Sequence, residues 1–244
     1  EQNLLRFPQM MNSAAAFCVA MHDALANFYI EYKNSKQLPS LQFLQKEFEK
    51  ELGMQRQNKT VFAQKLAKGL HDLEIFYDKR KATFDPRDKF EVNFKYQQVV
   101  LNGANLNGKI DRMHMDDATK ELTVIDYKTG KLFNSWEPTD PYLRLKVWKY
   151  KTQLLFYKLL IENSREYRGR FTVHRGVLEF LEPKGGEITT LDLEILPQDI
   201  EQLKKLIGIV YGKIMNLDFP DISKYDKDLF GVGVFIDDLL NGRC

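Results

Sequence analysis

Asp126 and Lys128 stand two residues apart in the stretch Ile125-Asp126-Tyr127-Lys128-Thr129-Gly130-Lys131, directly after the apolar run Leu122-Thr123-Val124. Side chains alternate across a strand, so Leu122, Val124, Asp126 and Lys128 share one face while Thr123, Ile125 and Tyr127 share the other. A face that begins as core thus ends in an acid and an amine. Such a pair is costly to desolvate unless a metal, a phosphate or water also engages it. Upstream, Gly108-Lys109-Ile110-Asp111-Arg112 offers a second carboxylate at hairpin distance. Hard oxygen ligands from two neighbouring strands beside a compact cation suit metal-assisted hydrolysis of a phosphodiester. That reaction needs an activated water, charge relief at phosphorus and stabilisation of the leaving alkoxide.

Hydrophobic periodicity gives the elements that must position these groups. Residues 13–32 repeat apolar side chains at Phe17, Met21, Leu25 and Phe28, a helical period. A second helix begins after Pro39-Ser40 with Leu41, Leu44, Phe48 and Leu52 on one face, and a third covers residues 60–80. At Pro86 the period changes to two. Residues 90–96, 104–113 and 121–128 read as three consecutive strands of a meander, the last two joined by the turn Asp116-Asp117-Ala118-Thr119. A helix over residues 145–163 follows, then strands at 171–181 and 187–196 around Pro183-Lys184-Gly185-Gly186, and a helix opened by Pro197. Residues 34–82 are a possible helical insertion. Residues 218–244 form a mixed tail with Gly231 and Gly233 inside an apolar patch.

The 244 residues, 43% hydrophobic, can bury a sizeable core as one domain. Cys18 and Cys244 are the only cysteines, too few for a disulfide scaffold or an iron–sulfur cluster, and they read as incidental thiols. No run has the apolar length of a membrane span and no signal-peptide pattern opens the chain, so a soluble, cytoplasmic protein without a membrane partner is expected. Glu1 in place of methionine is what a piece cut from a longer protein would show. The net charge of +2 neither demands nor excludes a nucleic acid, so binding has to be argued locally.

Five pieces fall in order along the chain: His22 on the first helix, Glu91 on the first strand, the GKIDR segment, Asp126-Tyr127-Lys128-Thr129-Gly130, and Gln153 with Tyr157 on the next helix. This set resembles the RecB-like branch of the PD-(D/E)XK nuclease superfamily, most specifically in the coupled GKIDR and DYKTG segments followed by Q-x-x-x-Y. The resemblance implies a restriction-endonuclease-like α/β fold, a mixed central sheet flanked by helices with a helical N-terminal portion, over a single nuclease domain of residues 1–244. It implies a metal-dependent deoxyribonuclease, an exonuclease by expectation. Its partners would be single-stranded DNA or duplex ends and a superfamily-one helicase in cis or in trans, in repair or recombination.

In that setting Asp111 and Asp126 are the metal ligands, with the Tyr127 carbonyl completing coordination of one or two Mg²⁺ or Mn²⁺ ions. Lys128 orients the attacking water or neutralises phosphate charge. By family position His22 is a nitrogen ligand, a type better suited to Mn²⁺ than to Mg²⁺. Glu91 is either a ligand or support for one, or the solvent-facing residue of an alternating strand. Gln153 and Tyr157, four apart on a helix, support the lysine or contact DNA. The family's first helix often carries a glycine a few residues before the histidine, where this sequence has Phe17-Cys18.

Arg144, Lys146, Lys149 and Lys151 interleave with Trp148 and Tyr150, a composition suited to a single strand whose phosphates are neutralised and whose bases stack. Lys109, Arg112 and Lys131 add positive charge near the acids. The bland counterpart is a solvated helix end with core aromatics. Two rival functions stay open: a catalytically silent nuclease-fold module that binds DNA or a helicase, and an interaction domain whose charged strand ends are only structural.

Overall fold

The computed structural model describes residues 11–244. The described residues divide into two compact units, the first comprising residues 11–90, 127–132 and 178–190, the second 91–126, 133–177 and 191–244.

Three helices form most of the first unit. In α1 (Ser13–Ser35) the Asn12 side chain caps the N-terminus by accepting the Ala15 amide at 2.8 Å. Ala16, Phe17, Ala20, Met21, Ala24, Leu25 and Phe28 then recur at steps of three and four, and all are buried. Ser40 caps α2 (Leu41–Met54) and Asn58 caps α3 (Lys59–Arg80) in the same way. The buried side of α3 is Gly69, Asp72, Leu73 and Phe76, while Phe62, Leu66 and Leu70 are only half-buried at its edge. Gly69 is small because the ring of fully buried Phe48 on α2 lies where its Cβ would be.

The central sheet has five strands in the order β1 (Lys89–Asn93), β4 (Lys109–Asp116), β5 (Glu121–Lys128), β6 (Thr172–Phe180), β7 (Thr190–Glu194). β4 and β5 pair antiparallel from Asp116↔Glu121 to Arg112↔Ile125. β5 and β6 run parallel, because Thr172 N–H donates to Lys120 O at 3.0 Å and Leu181 N–H to Lys128 O at 2.9 Å. β6 and β7 run antiparallel through Phe180 to Thr189 and Ile195 to His174. The sheet is therefore mixed. Parallel neighbours need a crossover, and α4 (Pro141–Asn163) is that crossover between β5 and β6.

The middle strand of the expected meander divides in two. β2 (Val99–Leu101) and β3 (Ala104–Leu106) make a separate hairpin, turned at Asn102 and Gly103 with φ of 49° and 82°. Asn-Gly is the pair that a two-residue hairpin turn with positive φ favours. Gly108 then admits β4 to the sheet. A Cβ there would sit 2.7 Å from Leu160 Cδ1 on α4, so any larger residue would displace that side chain. The Asp116 carboxylate accepts the Ala118 and Thr119 amides, so the acidic turn is an Asx turn.

α5 (Pro197–Met215) opens on its proline as expected. The tail from residue 218 holds a further helix, α6 (Leu229–Leu240), capped by Asp228 through the Phe230 and Gly231 amides. Lys224, Tyr225 and Arg243 converge on the Asp238 carboxylate at 3.2, 2.7 and 2.7 Å. No described helix is long and apolar enough to cross a membrane.

Two predictions follow the packing. Gly69→Ala gains up to about 1 kcal/mol of helix propensity and incurs about 1–3 kcal/mol of overpacking against Phe48, so a urea melt is expected to show net destabilisation. Gly53→Ala on α2, with nothing within 4 Å of its Cβ, is expected to stabilise by about 0.5 kcal/mol. Equal effects at the two sites would contradict the packing described. Arg243, Tyr225 and Lys224 hold the Asp238 carboxyl down to about 2, below its ordinary 3.8. A depressed folded-state value gives stability that is present above the ordinary value and lost as pH falls through the folded one. The stability difference between wild type and Asp238→Asn is therefore expected to be full at pH 5 and to shrink between about pH 4 and pH 2.

Candidate active site

β5 ends in two residues on opposite faces, and each meets a different helix. Asp126 is 1% exposed and accepts a hydrogen bond from Tyr157 Oη on α4, Oη to Oδ1 at 2.8 Å. Gln153 Nε2, one turn earlier, donates to the same phenol oxygen at 2.7 Å. The three residues form a relay in which the amide orients the phenol and the phenol holds the carboxylate. Burial pushes the Tyr157 phenol far above its ordinary value, and the charges of Asp126 and Asp111 add to the push. Tyr157 thus stays a proton donor at any pH the fold tolerates.

Asp111 lies one residue beyond Arg112 on β4, and Asp126 one residue beyond Ile125 on β5. The antiparallel register ends at Arg112↔Ile125, so the two acids follow directly on the end of the ladder on facing strands. Cross-strand neighbours share a face. A Glu91 carboxylate oxygen lies within 4.8 Å of one of Asp111. Glu91 sits in the left-handed region at φ 51°, unusual for a non-glycine residue inside a strand. The donors of this unit are hard carboxylate oxygens on adjacent strands, the chemistry that Mg²⁺ and Mn²⁺ take. Lys109 forms an ion pair with Glu91. Arg112 is 4% exposed.

Tyr127, the residue between the acid and the lysine, belongs to the first unit and is 3% exposed. Its Oη lies 3.3 Å from Tyr29 Oη on α1, and its ring meets Phe76 and His22 edge to face at centroid distances of 6.0 and 6.4 Å. The neighbouring Lys128 and His22 are half-buried. Cys18, four residues before His22 and so on the same helix face, lies against His22 and Thr129. Hydrogen bonding to His22 holds its thiol below the ordinary thiol range against the upward push of burial, with Thr129 and the Lys128 charge helping. The position where the family often has glycine thus carries a polarised thiol at the side of the histidine.

The basic and aromatic residues of α4 fall on two helix faces. By the 100° step of the helix, Arg144, Trp148 and Lys151 share one side, while Lys146, Tyr150, Gln153 and Tyr157 share the other. Lys151 pairs with Asp199 at 3.0 Å, Arg144 Nε donates to Pro138 O at 3.1 Å, and Trp148 lines an apolar groove of about 750 Å³ with Leu145, Phe230 and Val234. Lys146 lies over the rings of Phe133 and Tyr150 at 5.8 and 5.7 Å. Lys149 and Lys131 are exposed.

Cys18, Glu182 and Lys68 escaped the sequence reading. Cys18 carried a signal, its i, i+4 spacing to His22. Glu182 accepts the Gly130 amide from 52 residues away, and Lys68 pairs with Glu182 from farther still. No local pattern marks such partners.

A family model described as the PD-(D/E)XK nuclease superfamily matches residues 3–225. A search of curated proteins returned no match. Among solved structures, one titled "Crystal structure of SSO0001" aligns over 95% of this chain and 90% of that one, at 15% identity and a TM-score of 0.33, too low to carry an argument. With the family match spanning nearly the whole length, and a mixed five-stranded sheet flanked by helices of the restriction-endonuclease-like kind beneath it, the chain belongs to the PD-(D/E)XK nuclease superfamily, a superfamily of metal-dependent nucleases.

Proposed function

We propose that this chain is a divalent-metal-dependent deoxyribonuclease acting as an exonuclease on single strands or duplex ends. The observation that carries the reading is the Gln153–Tyr157–Asp126 relay, which holds a buried carboxylate next to Asp111. The relay leaves one Asp126 oxygen engaged by Tyr157 on the strand that faces Asp111, an arrangement compatible with two carboxylates sharing one ion. Asp111 and Asp126 would hold the ion, with the Tyr127 carbonyl, His22 and Glu91 as further ligands or support for them; Mg²⁺ or Mn²⁺ there would supply Lewis acidity and a more acidic water. Lys128 brings a compact positive charge to the scissile phosphate and orients the attacking water. Tyr157 fixes the Asp126 carboxylate by donating to one oxygen, and Gln153 fixes Tyr157.

DNA is the substrate class the superfamily supports. Lys131, Lys146 and Lys149, with Lys109 beside Glu91, are the residues we assign to its backbone, and Arg144, Trp148 and Lys151 to a more distant stretch of strand. Nothing in this set reads base edges, so little sequence preference is expected. The family match over residues 3–225 supports treating the chain as one nuclease domain. Delivery of DNA by a helicase in cis or in trans, a role in repair or recombination, and a nucleoid-associated, cytoplasmic location complete the proposal. The rival reading is a silent module that binds DNA without cutting it. Cys18 beside His22 favours it, since a thiol there alters the ligand helix.

End-labelled single- and double-stranded DNA incubated with the chain in Mg²⁺, Mn²⁺ or EDTA decides between them. Degradation is expected with metal and not with EDTA, with a loss of at least about 10²-fold in Asp126→Ala and in Lys128→Ala. Tyr157→Phe, which keeps the ring and removes the donor, is expected to weaken Mn²⁺ binding or cleavage by about 10- to 100-fold. DNA binding without cleavage in wild type and variants alike would establish the silent module.

A further inference from the structure

The segment that carries Lys128 leaves β5 and turns at once, with Gly130 at φ 105°. Two bonds from the end of β6 hold this turn. Leu181 N–H donates to Lys128 O at 2.9 Å, and the Gly130 amide donates to the Glu182 carboxylate. The first bond belongs to the strand ladder. The second comes from a side chain, so substitution can remove it without breaking the sheet.

Glu182 is itself held. Its other carboxylate oxygen pairs with Lys68 Nζ on α3 at 2.7 Å, and Lys68 also pairs with Asp72 one turn on, a residue 5% exposed. The same ammonium lies 5.1 Å from the centre of the Phe17 ring on α1, next to Cys18. The Lys128–Gly130 turn is therefore held from the end of β6 by Leu181 and Glu182, and Lys68 on α3 orients the Glu182 carboxylate. All of these groups belong to the first unit.

We infer that Glu182, oriented by Lys68, is a positioning residue for the catalytic lysine: by fixing the Gly130 amide it fixes the backbone from which Lys128 projects. The inference rests on the nuclease reading of Lys128. It differs from a stabilising ion pair in what it predicts. Side chains of Glu182 and Lys68 are 25% and 40% exposed, and pairs this wet contribute little to stability. Misplacing a catalytic group by about 1 Å, in contrast, costs up to about 10²-fold in rate. The rate effect should exceed the stability effect.

The test compares Glu182→Ala, Glu182→Gln and Lys68→Met with wild type in metal-dependent DNA cleavage, thermal melts and backbone hydrogen exchange. Glu182→Ala removes the acceptor and is expected to lower kcat about 10- to 100-fold with little change in KM, while Tm falls by no more than about 4 °C. Glu182→Gln keeps an oxygen for the Gly130 amide and is expected to restore kcat to within about threefold of wild type. Exchange at residues 128–131 should rise in the Ala variant and return in the Gln variant. Lys68→Met, which leaves Glu182 present but untethered, should fall between them. An active wild type whose Glu182→Ala variant retains kcat overturns the inference alone. So does a kcat loss that tracks Tm equally in the Ala and Gln variants. A wild type that cleaves under no metal condition overturns the proposed function and this inference with it.

Discussion

A carboxylate with almost no access to water is the constraint around which this structure is arranged. Asp126 ends a run of core residues on β5, and an ionised acid in that setting must be met by donors or cations. Tyr157 meets it from α4, and α4 reaches it because Gly108 leaves room for Leu160, three residues after Tyr157 on the same helix side. The glycine of GKIDR is thus a packing residue, and the tyrosine of Q-x-x-x-Y is a hydrogen-bond donor kept protonated by burial and by the acids around it. Each needs the other to place the acid.

The step from Asp126 to Tyr127 shows how one strand serves two environments. Alternation sends the acid to the α4 side and the tyrosine into a cluster with Tyr29, Phe76 and His22. Tyr127 is thereby enclosed by contacts with α1 and α3, while its carboxylate neighbour faces α4. Lys128, one further step along, sits at the sheet's end, where ladder bonds run out. There the bond that the Gly130 amide donates to the Glu182 side chain follows the last ladder bond, Leu181 to Lys128.

The second unit spends its C-terminal residues on a helix that packs by its apolar side and is clamped through Asp238. That helix lines the groove in which Trp148 stands. An aromatic flanked by lysines in sequence is therefore divided from most of them in space, since successive helix residues turn by 100° and one face of α4 is engaged by α5 and α6.

The sequence alone determined a great deal here. The helices of the N-terminal third, the strands at β4, β5, β6 and β7 and the helix opened by Pro197 were legible because hydrophobic period, caps and prolines act locally. Asp111, Asp126, Gln153 and Tyr157 were legible as a set through the ordered motifs of the family resemblance, while strand alternation and the four-residue helical repeat gave only which of them share a face. The β2–β3 hairpin had a local signal as well, the Asn102-Gly103 pair, hidden inside an apolar stretch that also fits a continuous strand. Tertiary structure decided what period and spacing do not encode. It set the burial of Arg112, the pairing of Lys109 with Glu91, the left-handed backbone at Glu91, the sorting of α4's basic residues between two faces, and the grip of Glu182 on a turn 52 residues away. These depend on which distant surfaces meet, and a long-range contact leaves no periodic trace in the chain that makes it.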